Sequence, residues 1–383
     1  MNMAKKLVCE IVCAAVALCA ANAQTNVPPA VSSAPSEPVD AEVVFVLDTT
    51  GSMTGLIEGA KQKIWSIAGG IIQRTGGKVR IGLIPYRDRG DVYVTKYFPL
   101  TDNLDQVYSD LQSFRAEGGG DGPESVNQAL YEAVTEIQWS RSPRVMRTIF
   151  LVGDFPPHMD YPDDVKYPES CALAAKRNIV INTVQCGGEP SATPPWQEIA
   201  KLTNGAYTQI GQSGNMRMIE TPYDAEIRRI NIELTGTILP YGSISTQAGM
   251  RQLVSDNVGA SAAVAASRNS FKAKGMAGSV LAAPVTGQDL TAEPELLEQL
   301  KPEELPEEFR DLTPEARQAK LDEAVSRRRE LNAKLLELDR KRSEYLREAE
   351  KSGEEDAPAS FDGEVLKSVE SQLEQLRSDS GDE

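Results

Sequence analysis

Asp48, Thr50 and Ser52 stand on alternate positions directly after the apolar run Val43–Leu47. One carboxylate and two hydroxyls at the end of a strand make an all-oxygen donor set of the kind that suits a hard divalent cation. Two further stretches carry matching chemistry. The loop Gly118–Ser125 reads Gly-Gly-Gly-Asp-Gly-Pro-Glu-Ser and leads into a helix, and Asp154 follows the apolar run Val145–Val152. A carboxylate at the end of a central strand is costly to bury unless it is paired or metal-bound. Asp121 and Glu124 are the candidate ligands of the glycine loop. They also have plain readings, since Asp121 can shape a turn and Glu124 favours a helix N-terminus.

The elements that must position these loops follow from periodicity. Strands are predicted at 42–47, 79–85, 92–98, 145–152, 179–185 and 206–210, and helices near 54–73, 103–115, 124–139, 166–177 and 194–203. The alternation implies an α/β, doubly wound, mostly parallel six-stranded sheet with helices on both faces. The gap before 92–98 is too short for a crossover, so that strand should lie antiparallel at an edge. Ligands in such sheets sit outside the carboxyl ends of the strands, where the strand order reverses. Asp48, Glu124 and Asp154 all belong there.

The remaining segments read as follows. Residues 1–23 form a secretory signal peptide: Lys5 and Lys6 precede an apolar run, and Ala21-Asn22-Ala23 offers a cleavage site after Ala23. Residues 24–40 are a Pro/Ser/Ala-rich linker and 41–212 the α/β domain. Residues 213–242 hold an additional helix and turn, entered through Thr221 and Pro222. Residues 243–312 read as a flexible linker. Residues 313–351 form one long helix whose three-four seam at 321, 324, 328, 331, 335, 338, 342 and 345 suits a coiled coil or packing on its own domain, with arginines at 328 and 342 as flaws. Residues 352–383 read as an acidic disordered tail, within which Val365–Leu376 has the pattern of a short partner helix.

The formal charge of −16 argues against nucleic acid or an anionic membrane as the main partner. Beyond the leader no segment is apolar enough to insert in a membrane, so a secreted or periplasmic location is expected. Cleavage leaves Cys171 and Cys186 as the remaining cysteines. A disulfide between them would be worth on the order of 3 kcal/mol, with two buried thiols as the alternative.

On these residues the chain resembles the von Willebrand factor type A family. Asp48, Thr50 and Ser52 match the first element of that family's metal-ion-dependent adhesion site, and Asp154 matches its third-loop aspartate. The resemblance covers residues 41–212 and implies strand order 3-2-1-4-5-6. The second loop departs from the general pattern: it has no Thr, and resembles instead the branch that pairs Asp-Thr-Thr-Gly-Ser-Met with Gly-Gly-Gly-Asp-Gly-Pro-Glu, as in hemicentin-like matrix proteins and some proteins linked to alpha-kinases. Asp121, Glu124 or Ser125 would then replace the threonine. The implied cofactor is Mg²⁺, or Mn²⁺ or Ca²⁺. The implied function is non-enzymatic protein–protein interaction, with a partner's acidic side chain on the metal.

Two other functions suit the sequence. In one, the metal is structural and the C-terminal helical arm binds the partner or self-associates. In the other, the protein is a metal-dependent hydrolase. Asp88, Ser125 and His158 would line the rim. His158 is the only histidine, which gives little footing for acid–base catalysis. The tripeptide Arg89-Gly90-Asp91 reads as turn chemistry. Trp65, Trp139 and Trp196 read as packing residues.

Overall fold

The computed structural model describes residues 38–120, 122–216, 219–275, 287–351 and 359–381. The leader, its cleavage site, most of the 24–40 linker and Asp121 lie outside the described residues. Six strands, β1 (Val39–Asp48), β2 (Gly76–Tyr86), β3 (Phe98–Thr101), β4 (Val145–Gly153), β5 (Val180–Cys186) and β6 (Tyr207–Ile210), form one sheet in the order β3-β2-β1-β4-β5-β6. All neighbours pair parallel except β3, which runs antiparallel at the edge against β2. The edge strand begins later than the expected 92–98. Residues 87–94 instead form a polar turn, closed by an isolated bridge between Tyr86 and Thr95, with Arg87 donating to the Val94 carbonyl (2.9 Å) and Lys96 to that of Pro85 (3.1 Å). Pro99 is tolerated in β3 because an edge strand leaves one side of its backbone unpaired.

Helices cover both faces. α1 (Thr54–Thr75) and α2 (Leu104–Gln112) bury Leu56, Ile64, Trp65 and Leu111 against Val43, Phe45 and Phe150. α3 (Val126–Thr135), α4 (Tyr167–Lys176) and α5 (Thr193–Leu202) bury Leu130, Ala174 and Trp196 against Val44, Val46 and Ile149 on the other face. Successive strand residues point to opposite faces, so a strand buried on both sides must be apolar throughout, as Val43–Leu47 is. Trp65 and Trp196 are core residues and Trp139 is half-buried against the second core.

Cys171 and Cys186 are both buried free thiols, the second of the two alternatives that the sequence leaves open. Cys171 on α4 lies in the core of one face, and Cys186 at the end of β5 in the core of the other. The sheet stands between them. Burial pushes the Cys171 thiol up to about 12.

The segment expected to be a flexible linker is ordered over its described part. After α6 (Asp224–Thr235) come α7 (Ile244–Val258) and α8 (Ala262–Gly275). The small residues that looked unstructured let α8 pack closely: Ala263, Val264, Ala265 and Ala266 are buried. Short 3-10 turns at Pro294–Leu296, Pro302–Glu304 and Glu307–Phe309 follow, and Leu290, Leu305 and Phe309 make a small core with Leu321. Helix α6 begins at Asp224 rather than Pro222, and Asp224 accepts from the Thr221 hydroxyl and amide.

The long helix α9 (Pro314–Lys351) uses its seam inside the chain. Leu331 and Leu335 pack with Ile227, Ile230 and Ala266. The two seam arginines are buried ion-pair partners. Arg328 donates to Asp289 (2.6 Å) and to the Thr237 hydroxyl and carbonyl (2.9 Å each). Arg342 donates to Asp224 at 2.9 Å. Of the tail 352–383 expected to be disordered, residues 352–358 and 382–383 lie outside the described residues, and the described part holds helix α10 (Phe361–Gly381), which contains the expected short helix Val365–Leu376 and buries Phe361, Val365, Val369 and Leu373 in the α1 face of the sheet. Among the described residues no helix is long and apolar enough to cross a membrane.

Arg328→Ala leaves Asp289 buried without its cation and is expected to cost about 3–5 kcal/mol in urea unfolding. The paired change Arg328→Met with Asp289→Leu should recover most of that. A loss below about 1 kcal/mol for the single variant would refute the role of the pair.

Candidate metal centre

Asp48 ends β1 at the point where the strand order reverses, between β2 and β4. Its Oδ1 accepts from the Thr50 amide (2.8 Å) and hydroxyl (2.7 Å). The Thr50 and Ser52 hydroxyls stand 3.2 Å apart. A 3-10 turn at Gly51–Met53 then enters α1. The neighbouring Thr49 anchors the loop by giving both its amide and its hydroxyl to the Tyr86 carbonyl at 2.8 Å.

The glycine loop is laced to the first. Gly51 donates to the Gly118 carbonyl (3.2 Å) and Glu117 to that of Thr49 (3.0 Å). Gly118 and Gly119 have φ of +80° and +78°, a conformation that side chains disfavour. At Gly119 the lack of a side chain also makes room, since a Cβ there would lie 3.1 Å from Thr50 Cβ and 3.3 Å from Glu124 Oε1. Glu124 is thereby brought beside Thr50. Its backbone is fixed to the third loop on both sides: its amide donates to Pro156 (3.0 Å) and its carbonyl accepts from His158 (3.1 Å). Asp121 lies outside the described residues.

Asp154 follows β4, and its Oδ2 accepts from Gln212 Nε2 at 2.7 Å. Gln212 also donates to the Ser52 carbonyl at 3.3 Å and so ties the first loop to the third. Sequence reasoning missed Gln212; its one signal is its place just after β6, at the same end of the sheet. Gly153 keeps the floor open, because a Cβ there would lie 3.2 Å from Asp48 Oδ2.

The structure thus brings Asp48, Thr50, Ser52, Glu124 and Asp154 together. Asp48, Glu124 and Asp154 each keep one buried oxygen without a protein partner: Oδ2, Oε2 and Oδ1 respectively. Burial, then Asp154, raises Asp48 well above the usual carboxylate range. Burial, then Asp48, Asp88 and Asp154, pushes Glu124 up to about 9. Orphaned anionic oxygens beside two hydroxyls fit a hard divalent cation. Among the described residues no three His, Cys, Asp or Glu side chains form a metal cage by themselves, and the donor set here is mixed carboxylate and hydroxyl.

The rim residues form a separate buried cluster. Asp88 accepts from the Ser125 hydroxyl (2.8 Å) and from Tyr161 (2.9 Å), and His158 Nε2 stands 3.3 Å from it. His158 Nδ1 is bonded to Asp160 at 2.8 Å and its ring stacks on Tyr161. The Ser125 hydroxyl is turned to the carboxylate rather than to the imidazole, which is not the order of a nucleophile and its base. Asn127 ties this cluster to α4 by donating to the His158 carbonyl and accepting from the Tyr167 amide. In the tripeptide, Arg89 is engaged by Asp163 and Asp164, and Asp91 accepts from Gly119 at 3.0 Å. These residues hold the turn.

Residues 42–221, just under half of the chain, match the family model described as von Willebrand factor A domain. No curated protein matches the chain. Among solved structures, the conserved hypothetical protein BatB from Bacteroides thetaiotaomicron is 17% identical, with 56% of this chain and 97% of that chain covered and a TM-score of 0.35. The SpRpn10 VWA domain is 14% identical, with 46% and 91% covered and a TM-score of 0.36. Proximal thread matrix protein 1 from the mussel byssus is 16% identical, with 46% and 42% covered and a TM-score of 0.35. The observed strand order and the family match, rather than these distant likenesses, identify the fold.

The carboxylate cluster sets a pH dependence for the cation-free protein. Unfolded, these carboxyls ionise near pH 4, roughly their ordinary value; folded, Glu124 holds its proton to about 9. Folding therefore takes up protons across this window, and stability falls as pH rises through it. Urea unfolding in EDTA from pH 5 to 9 should show that fall, and Glu124→Gln should flatten it. Stability that rises over this range would contradict the cluster.

Proposed function

We propose that this chain, which carries a von Willebrand factor A domain over residues 42–221, is an exported, non-enzymatic interaction protein with a divalent cation at its binding face. A protein-interaction role is common to such domains. The cation, the export and the lack of catalysis are our reading. One observation carries it: the unpartnered oxygens of Asp48, Glu124 and Asp154, buried at the switch point beside the Thr50 and Ser52 hydroxyls.

Asp48, Thr50, Ser52, Asp154 and Glu124 would hold Mg²⁺, or Mn²⁺ or Ca²⁺, with Asp121 in the same loop as a further candidate. When bound, the ion supplies positive charge to offset the carboxylates and a position that an oxygen of a partner can take. The chain's own residues do the rest. Gln212 and the Thr50 amide orient the carboxylates, and the bare backbone of Gly119 leaves room for Glu124 beside Thr50, where it would stand in for the family's threonine.

Glu124 favours a second reading. A third carboxylate neutralises a divalent ion, which tightens cation binding and weakens capture of an acidic partner. The ion would then be a standing part of the fold. The arm is the less favoured binding element in that case: its seam is buried within the chain, and Leu336 and Tyr345 are its exposed large apolar side chains.

Calorimetric titration of Mg²⁺ and Mn²⁺ into the protein should show one site that Asp48→Ala abolishes. Equal binding by both proteins would sink the metal centre. Pull-downs with and without EDTA then separate the two readings. A partner lost both in EDTA and with folded Asp48→Ala supports the open site, and a partner kept in both supports the structural ion.

A further inference from the structure

A second polar centre lies at the opposite end of the sheet, far from the carboxylate loops. Arg147 sits near the start of β4 and is 5% exposed. Buried charges in proteins are paired as a rule, yet Arg147 has no carboxylate partner within ion-pair distance among the described residues. Its nearest acidic neighbour across the sheet, Glu42, is already engaged. One Glu42 oxygen takes Arg80 and the other accepts from the Ser140 amide at 2.8 Å. Arg147 makes its side-chain bonds through Nη1 alone, to the carbonyls of Ser140 and Ser142 at 2.9 and 2.7 Å. Its Nε is buried without a partner. Burial pulls the guanidinium down in proton affinity by more than Glu42 restores.

Two cavities meet at this side chain. One, of about 450 Å³, runs between the starts of β4 and β5 and the helix α10, past Asn182, Ser371 and Gln372. The other, of about 540 Å³, lies under α3 and α4 and is lined by Arg141, Lys176 and Arg177 as well. Pro143, Arg147 and Asn178 belong to both. Neither wall holds an aspartate or glutamate, in a chain with 56 acidic residues against 40 basic ones. Lys176 and Arg177 close the last turn of α4, where cations offset the helix dipole, and that alone accounts for them. Arg147 is on a strand and has no such explanation. Gln372 adds a second orphan: its amide nitrogen donates to the Arg147 carbonyl at 3.2 Å, and its Oε1 is buried without a partner.

We propose that Arg147 is the anchor of a binding site for a small oxyanion, a carboxylate or phosphate group that enters these joined cavities and supplies the missing counter-charge. The Nε–Nη2 edge of a guanidinium matches two oxygens of such a group side by side. The amides of Asn178 and Gln372 and the hydroxyl of Ser371 line the same space, and volumes of this size hold small ligands. The site is independent of the cation centre and does not rest on the function proposed for it.

The test is calorimetric titration of the full chain in buffer free of divalent cations, with inorganic phosphate in one arm and succinate in the other. Saturable one-to-one binding in either arm is expected, and the stronger arm identifies the group as phosphoryl or carboxylate. Arg147→Gln should weaken it about tenfold or more, as loss of charge-assisted hydrogen bonds does. Because Arg147→Gln can also disturb folding, Ser371→Trp serves as a second variant: Ser371 is exposed at the cavity wall, so the bulk fills the space and should abolish binding with Tm unchanged. No saturable heat in both arms, or wild-type affinity in either folded variant, overturns the site.

Discussion

Mutual repulsion among buried carboxylates is the constraint on which the upper half of this molecule depends. Asp48, Glu124 and Asp154 arrive from different loops at one point of the sheet, where burial and proximity both oppose their ionisation. Few of their oxygens find donors within the protein. The surrounding structure is organised to hold this unfavourable cluster in place: paired backbone bonds between the loops, a side-chain amide from Gln212, and glycines wherever a side chain would collide. Strain of this kind persists only when the scaffold over-determines it.

That scaffold is two apolar cores separated by a sheet, and its central strands are buried on both sides. The same division explains why Cys171 and Cys186 stay apart. It also separates the two polar ends of the domain. At the carboxyl ends of β1 and β4, Asp48 and Asp154 gather with Glu124 and leave buried oxygens without donors. At the amino end of β4, Arg147 is buried with its Nε unpartnered while the neighbouring Glu42 is engaged by Arg80 and Ser140. The sheet holds these two groups of unsatisfied polar atoms at opposite ends of the same strand.

Much of the sheet was legible, because doubly buried strands must be continuous apolar runs and β1 and β4 are such runs. Asp48, Thr50, Ser52 and Asp154 were legible for the same reason: each follows a strand whose end is unmistakable. The errors have physical causes. The apolar pattern puts the edge strand at Val92–Phe98, but a half-exposed edge needs little apolar pattern and forms at Phe98–Thr101. The alanines and serines of helix α8 give no strong period and so read as flexible, although small side chains are what allow close helix contact. Arg328 and Arg342 looked like flaws in a seam. Their partners Asp289 and Asp224 are distant in sequence, so nothing local could announce the pairs. Gln212 was invisible on the same ground.

Helix α10 comes from the far end of the chain and fills the groove beside α1 and β4, with Phe361 donating its amide to the Gly214 carbonyl at 2.9 Å. The first strand begins at Val39, so more than three hundred residues separate the start of the sheet from the helix that finishes its cover. During synthesis the sheet can pair and α1 can dock while that apolar groove still lacks its last occupant. The groove closes only once residues 361–373 have left the ribosome. Contacts of such long separation slow folding, and a chain interrupted before residue 361 would carry an uncovered hydrophobic channel over its central strands, a surface for chaperones or for aggregation.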